Sequence, residues 1–370
     1  MSNHNVQDVL TRRECTAMRG IAILAIVLHN YCHFAHKIVQ ENEYQYLQLN
    51  NDRLWQELTH PDALLPVHLL SYFGHYGVPV FLFLSGLGLV MKYERSQELR
   101  NQEIRSQEPG AWRFLRYHYL KLLRMLFVGF SIFVMVDVLT PGRFPFHWDN
   151  VVAQLLMYIN VLPRPDKIIW PGIYWFFGLM IQLYIVYRLF LYRRRSLYVV
   201  LLIAVCWLLQ ALCQPDGETL NRLRYNFIGG MLPFGMGILA ARSWWKVEGR
   251  RWKVEGRRWK EYSILLFPLS IALVSTMCLS FQSWLWIPAV IVVGTIALVK
   301  ILPEAVLRVF VWFGSISAAM FVTHPIARKL MIIVAWKQDV YDGLMLYLIV
   351  TIALSWAVKQ IIDRIPMPHL

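Results

Sequence analysis

The chain has 370 residues, of which 57% are hydrophobic and only 16% charged, and its formal net charge is +14 at pH 7. A soluble domain of this length carries roughly 25% charged residues, so the composition excludes an ordinary water-soluble fold. The basic residues stand in short segments between apolar blocks, with no aromatic-basic groove and no nucleic-acid motif, so a nucleic-acid partner is not expected.

In chain order, a polar stretch to Glu14 leads into an apolar block that no small-residue cleavage site follows. That block reads as a retained first helix and not as a cleaved signal. A helix needs about 20 mainly apolar residues to cross about 30 Å of hydrocarbon. The apolar blocks predict an all-α, polytopic transmembrane bundle in one domain over 1–370, with about ten spans: 16–36, 66–91, 113–140, 168–192, 197–213, 226–242, 263–282, 284–300, 309–332 and 344–362. With both termini inside, the outer segments hold Lys37, Arg53, Arg143, Arg164, Lys167, Arg222, Arg224, Arg328, Lys329 and Lys337, and nearly all the other Lys and Arg residues fall inside. This asymmetry predicts cytoplasmic termini.

Two outer connections are long. The first, 37–65, is polar, and its Asn50-Asn51-Asp52 run predicts a turn. The second, 140–167, holds an apolar run at 151–162, too short to span and expected to lie at the interface or to re-enter. Tyr46, Trp55 and Trp148 in these loops are candidates for stacking on sugar rings. An inner loop carries a tandem duplication, Trp245–Arg251 repeated as Trp252–Arg258. It reads as a basic, Trp-bearing segment at anionic headgroups. The five cysteines have no CxxC spacing and are expected to be small core hydrophobes.

Ionisable residues within spans are costly and point to function. The first span sets Arg19 ten positions before His29, about 15 Å apart in depth. The second reads Gly74-His75-Tyr76-Gly77 through Pro79 to Ser85-Gly86, where small residues allow close helix approach and Pro79 frees a carbonyl beside His75. The third opens with Arg113, Arg116, Lys121 and Arg124 within an arc of about 140°, a cationic stripe suited to phosphates. The ninth runs Gly314-Ser315-Ile316-Ser317 to His324-Pro325 and sets a second histidine level with His29. An inner cationic stripe with outer histidines describes a trans-bilayer site that holds an anionic donor inside and transfers protons toward the outside. No P-loop, GxGxxG, GxSxG or metal-ligand spacing is present, so metal and nucleotide-hydrolysis chemistry is not expected.

These motifs, in this order, resemble the integral-membrane acyltransferase-three family, whose members include O-acetyltransferases of bacterial surface polysaccharides. The landmarks are Met18-Arg19-Gly20 running to His29, Val80 to Gly86, the Arg113 to Arg124 helix start, Tyr174-Trp175-Phe176-Phe177, and Phe313 to Pro325. The resemblance implies acyl transfer from cytoplasmic acyl-CoA, most often acetyl-CoA, to a hydroxyl of a cell-envelope glycan or glycolipid, by a multi-pass protein of the bacterial inner membrane. Arg19 and the third-span cations would bind the donor's phosphates. His29 or His33 would act as general base or transient acyl carrier, and His324 would orient it or help with proton transfer. Many members leave ten residues between the arginine and the histidine, whereas here nine separate Arg19 from His29 and Asn30 takes the usual place. His29 lies about 80° from Arg19 around the helix and His33 about 40°, so His33 competes for the role. Two other classes are weighed against this one, an exporter of a surface polysaccharide and a degenerate sensor or scaffold. No inverted repeat supports the exporter.

Overall fold

The computed structural model describes residues 10–35, 37–95, 109–248, 256–335 and 339–369. Half of the 245–258 duplication, residues 249–255, lies outside the described residues. The described chain is helical, without strands. α1 (Arg12–Cys32) opens on a capping box, in which Glu14 N donates to Thr11 Oγ1 at 3.1 Å and Thr11 N donates to Glu14 Oε2 at 2.7 Å. After α2 (Gln48–Thr59), α3 (Leu65–Phe73) passes through one tight 3-10 turn, Gly74–Tyr76, into α4 (Gly77–Val90). Pro79 explains the break: it cannot donate to the carbonyl of His75, and the turn tightens there.

The chain continues through α5 (Ala111–Leu139), α6 (Trp148–Leu155), α7 (Trp175–Val186), α8 (Ser196–Ala211), α9 (Glu218–Tyr225), α10 (Phe227–Glu248) and α11 (Gly256–Met277). A single turn, α12 (Phe281–Trp284), precedes α13 (Ile287–Ile301), α14 (Glu304–Ala335) and α15 (Val340–Arg364). Among the described residues, six helical stretches are long and apolar enough to cross a membrane: Arg12–Cys32, Leu65–Glu94, Ala111–Leu139, Gly172–Leu191, Glu304–Met331 and Val340–Arg364. Each of the ten expected intervals holds a helix, but α8, with 16 residues, rises only about 24 Å. The apolar helix Ile287–Ile301 is likewise short. The sequence intervals had absorbed flanking apolar residues that cap these helices instead of extending them.

Glycines set how closely the helices approach. A Cβ on Gly20 would meet the carbonyl oxygen of Phe310 at 1.9 Å, and one on Gly314 would meet that of Thr16 at 1.9 Å, so α1 and α14 touch backbone to backbone. Gly86 and Gly237 make the matching contact between α4 and α10. At one end of the bundle, Arg13 pairs with Glu304, and Lys300 meets Glu14 at 2.8 Å. Arg124 of α5 donates to the carbonyl of Ile365 just past α15 at 2.9 Å. Lys121, one turn before Arg124, lies within electrostatic reach of Arg19. The start of α1 and the end of α15 therefore share one end of the bundle.

Two expectations for the long loops are overturned. Asn50 to Asp52 form no turn; they lie in α2, because Asn50 and Asn51 face inward and hydrogen-bond Asn42, each at 3.0 Å. Tyr46 is no sugar platform. It is buried against Phe281 and Trp284, and its hydroxyl donates to the carbonyl of Cys278 at 3.0 Å. Trp55 and Trp148 are exposed. The 151–162 run forms α6 and a 3-10 turn, neither long enough to span. All five cysteines are free, and Cys32, Cys206 and Cys278 are buried as expected.

Candidate active site

At the other end of the bundle a cavity of about 350 Å³ opens among the end of α1, the 40–44 segment, the 3-10 turn at His75, the 166–176 segment and α14. His29, His33 and His75 line it together. α1 runs as a regular α-helix to Cys32, with His33 as its αR cap, so no local distortion removes the phase difference between Arg19 and His29. One turn apart, His29 and His33 face each other with ring centroids at 5.4 Å. Gly74 brings the third ring in: a Cβ there would sit 2.6 Å from both the Ala25 carbonyl and the Cβ of His29, so α3 closes directly onto α1. The His75 ring then lies 5.7 Å from that of His29.

The hydrogen bonds set the protonation of two rings. The Ser71 carbonyl lies 2.7 Å from His29 Nδ1. A carbonyl only accepts, so Nδ1 carries the proton and Nε2 keeps its lone pair. Glu41 Oε2 lies 2.6 Å from His33 Nδ1, which fixes the same tautomer in His33. Burial by itself raises the Glu41 pKa. The His33 hydrogen bond, together with the neighbouring imidazoles once acid has protonated them, outweighs that and holds its carboxyl down at about 2. Glu43 behaves oppositely: burial and then the Glu41 charge push it up to about 8, so it is largely protonated at neutral pH.

A smaller, deeper cavity of about 40 Å³ shares Glu43, Tyr44, His75, Val78 and Trp175 with the outer one and adds Arg224. Neither ring nitrogen of His75, which borders both, meets a partner at hydrogen-bond geometry. Arg224 Nε donates to the Glu43 carbonyl at 2.6 Å, and its guanidinium stacks 4.1 Å over Trp284.

His324 is fully buried but does not line the outer cavity. Its Nδ1 contacts the Met320 carbonyl at 3.0 Å within its own helix, its Nε2 has no partner, and the Phe321 ring lies 6.1 Å away. The structure thus joins His29 to His33, and the groups completing their shell are Glu41 and His75. Glu41 left no sequence signal because it sits in an irregular loop. His75 did leave one, in its glycine-flanked, proline-broken setting, but it reads equally as packing. One ligand atom each of His29, His33 and Glu41 lies within 4.8 Å of the others, a spacing that also suits a metal ion; folding creates it, and chain spacing hides it.

At the opposite end the predicted cations divide. Lys121 lies near Arg19, Lys92 and Arg124, with Lys92 4.5 Å over the Tyr117 ring. Tyr184 lies against Ser85 and near Arg19, so three of the sequence landmarks meet at this point. Arg124 spends one donor on the end of α15, and its Nε is buried without a partner. Arg113 and Arg116 are exposed at the start of α5. The two ends thus differ in chemistry: a cationic cluster at one, a histidine–carboxylate cavity at the other.

No curated protein and no solved structure matches the chain. A family model described as an acyltransferase domain matches residues 14–359 and so includes every histidine and carboxylate of the outer cavity. The chain belongs to the acyltransferase-3 family.

Proposed function

We propose that the protein is an O-acyltransferase of the bacterial inner membrane, crossing it about ten times with both termini in the cytoplasm. It moves an acyl group, acetyl above all, from cytoplasmic acyl-CoA to a hydroxyl of a cell-envelope glycan or glycolipid. The carrying observation is the His33–Glu41 pair at 2.6 Å beside His29, in a cavity at the end of the bundle opposite the cations.

On this reading Arg19, Lys121 and Arg124 hold the donor's phosphates, with Arg113 and Arg116 adding positive charge where the donor enters. Arg19 and His29 lie about 15 Å apart along α1, which an extended pantetheine arm can cover. The acceptor enters through the outer cavity. Its hydroxyl gives its proton to Nε2 of His33 while its oxygen bonds to the acyl carbonyl carbon. Glu41 stabilises the imidazolium that forms, as the carboxylate of a catalytic triad does. The carbon–sulfur bond then breaks, and the proton taken up by His33 passes by way of His29, the deeper of the two rings, to the leaving thiolate, so that both rings end neutral.

Inverted membrane vesicles supplied with radiolabelled acetyl-CoA test this directly. Wild-type vesicles should label an envelope glycan or glycolipid, and His29→Ala and His33→Ala should each lower the rate by about 10²- to 10⁴-fold while the protein stays folded. Undiminished labelling in both variants would rule the mechanism out.

A further inference from the structure

The proton-transfer scheme gives no role to Arg328, a cation of the outer cavity. Arg328 lies on α14 one turn beyond His324 and lines the cavity with the histidines. Its guanidinium carbon stacks 3.9 Å from the centre of the Phe34 ring and 5.1 Å from that of Trp170. Its hydrogen bonds are weak: Nη1 reaches the carbonyl and Oδ1 of Asn30, both at 3.4 Å, near the outer limit for such a bond.

Two buried or half-buried cations of the bundle show the ordinary arrangement, a counter-ion in contact. Lys329, the next residue, meets Asp137 at 2.8 Å, and Arg242 meets Glu94 at 2.8 Å. Among the described residues, no carboxylate bears on Arg328; the titratable groups that do are the Tyr347 phenol and the His324 imidazole. The cavity's own acids are engaged elsewhere. Glu41 accepts from His33, Glu43 is held protonated by burial, and Asp166 lies against Tyr225. A half-buried guanidinium stacked on aromatic rings is matched best by an anion beside it, and none of the described residues supplies one.

The surroundings indicate where that anion comes from. The Phe34 ring that stacks on Arg328 also lies 4.8 Å from the His33 ring, so guanidinium and imidazole are within about 9 Å of each other. One sugar unit can bridge that gap. Trp175 and Phe176 also line the cavity, and Lys167 is exposed at its edge.

We propose that the cavity takes an anionic acceptor, a hydroxyl-bearing sugar with a carboxylate or phosphate group, and that Arg328 is the residue that binds the anion. This rests on the outer cavity being the acceptor's entrance. Arg328 fixes the charged group, the aromatic faces hold the ring, and a free hydroxyl is presented to His33.

The test uses the purified full chain in lipid nanodiscs without acyl-CoA. Intrinsic tryptophan fluorescence, to which Trp170 and Trp175 contribute, is titrated with methyl glucoside, methyl glucuronide and glucose 1-phosphate. At least one anion should bind about 10-fold more tightly than the glucoside, and which one does so separates carboxylate from phosphate recognition. Arg328→Gln should abolish the preference, and Arg328→Lys should restore part of it. Asn30→Asp, which sets a carboxylate against the guanidinium, should abolish it too while glucoside binding persists. Equal binding of the three sugars, binding of none, or a preference that survives both Arg328→Gln and Asn30→Asp would overturn the proposal. Because binding is read without the donor, its failure leaves the acyl-transfer reading standing, and a failure of acetyl labelling leaves the binding result standing.

Discussion

Glu41 and Glu43 lie two residues apart in one loop, and folding drives their carboxyls in opposite directions. Glu41 sits well below its ordinary range, so the stability it contributes is present above pH 4.5 and is lost as pH falls toward about 2. Glu41→Gln should remove that acid-induced loss, as seen by melting temperature between pH 5 and pH 3. Glu43 is raised to about 8, so the folded state retains a proton that the unfolded chain gives up above pH 4.5. Its stability contribution therefore falls as pH rises from 4.5 to about 8 and is level beyond. Glu43→Gln should melt higher than wild type at pH 8 and level with it at pH 4. A wild-type melting profile that Glu43→Gln leaves unchanged across that window would contradict the protonated carboxyl. For catalysis, Glu41→Gln combined with His33→Ala should be no slower than His33→Ala alone, because the carboxylate acts through the imidazole.

How much of the site could be read from the chain follows from how each residue is placed. His29 and His33 were legible because one helix carries both and their spacing sets their phase. Arg19 and Lys121 were legible as cations near the ends of apolar spans. Glu41 was not, because a loop brings it to His33, and no periodicity marks a loop residue. Arg328 looked like one more outer cation until folding placed it between two aromatic rings, away from any described carboxylate. His324 shows the opposite case. Its level in the ninth span was read as a partnership with His29; its ring bonds its own helix and does not line the cavity, yet it lies within electrostatic reach of His29.

Among the elements, α1 carries the most constraint, gripped by α14 through Gly20 and Gly314 and by α3 through Gly74. Because Gly20 faces a carbonyl oxygen and not a flexible side chain, Gly20→Ala forces the two backbones apart. It should cost about 2 kcal/mol or more by equilibrium unfolding in mixed micelles. The same substitution at Gly88, which faces open space, should have little effect. The buried pair between α5 and α14 offers a second test. Asp137 and Lys329 are both almost wholly buried, and Asp137 Oδ2 also accepts from Phe144 N at 2.9 Å. Removing one partner leaves an uncompensated charge, so Lys329→Met should destabilise by about 3 kcal/mol or more. Asp137→Asn added to Lys329→Met should recover part of that loss.

At the scale of the molecule, the small-residue contacts and long apolar helices were legible in the sequence, because bilayer thickness imposes length and close packing imposes glycine. The helix count was harder to read, since α8 and α13 are apolar yet short, and apolar residues that flank a span look the same as residues within it. What folding adds is polarity along the bundle, with Arg19, Lys92, Lys121 and Arg124 at one end and the histidine–carboxylate cavity at the other. That polarity is the physical basis for reading the protein as a device that receives an acyl group on one side and delivers it on the other. The most direct measurement is the acetyl content of the cell-envelope glycans, by NMR, in a strain deleted for the gene and complemented with wild-type, His29→Ala or His33→Ala protein. The account predicts that acetylation of one glycan is lost on deletion, restored by the wild-type protein and restored by neither variant. An acetyl content unchanged by deletion, or fully restored by both variants, would contradict it.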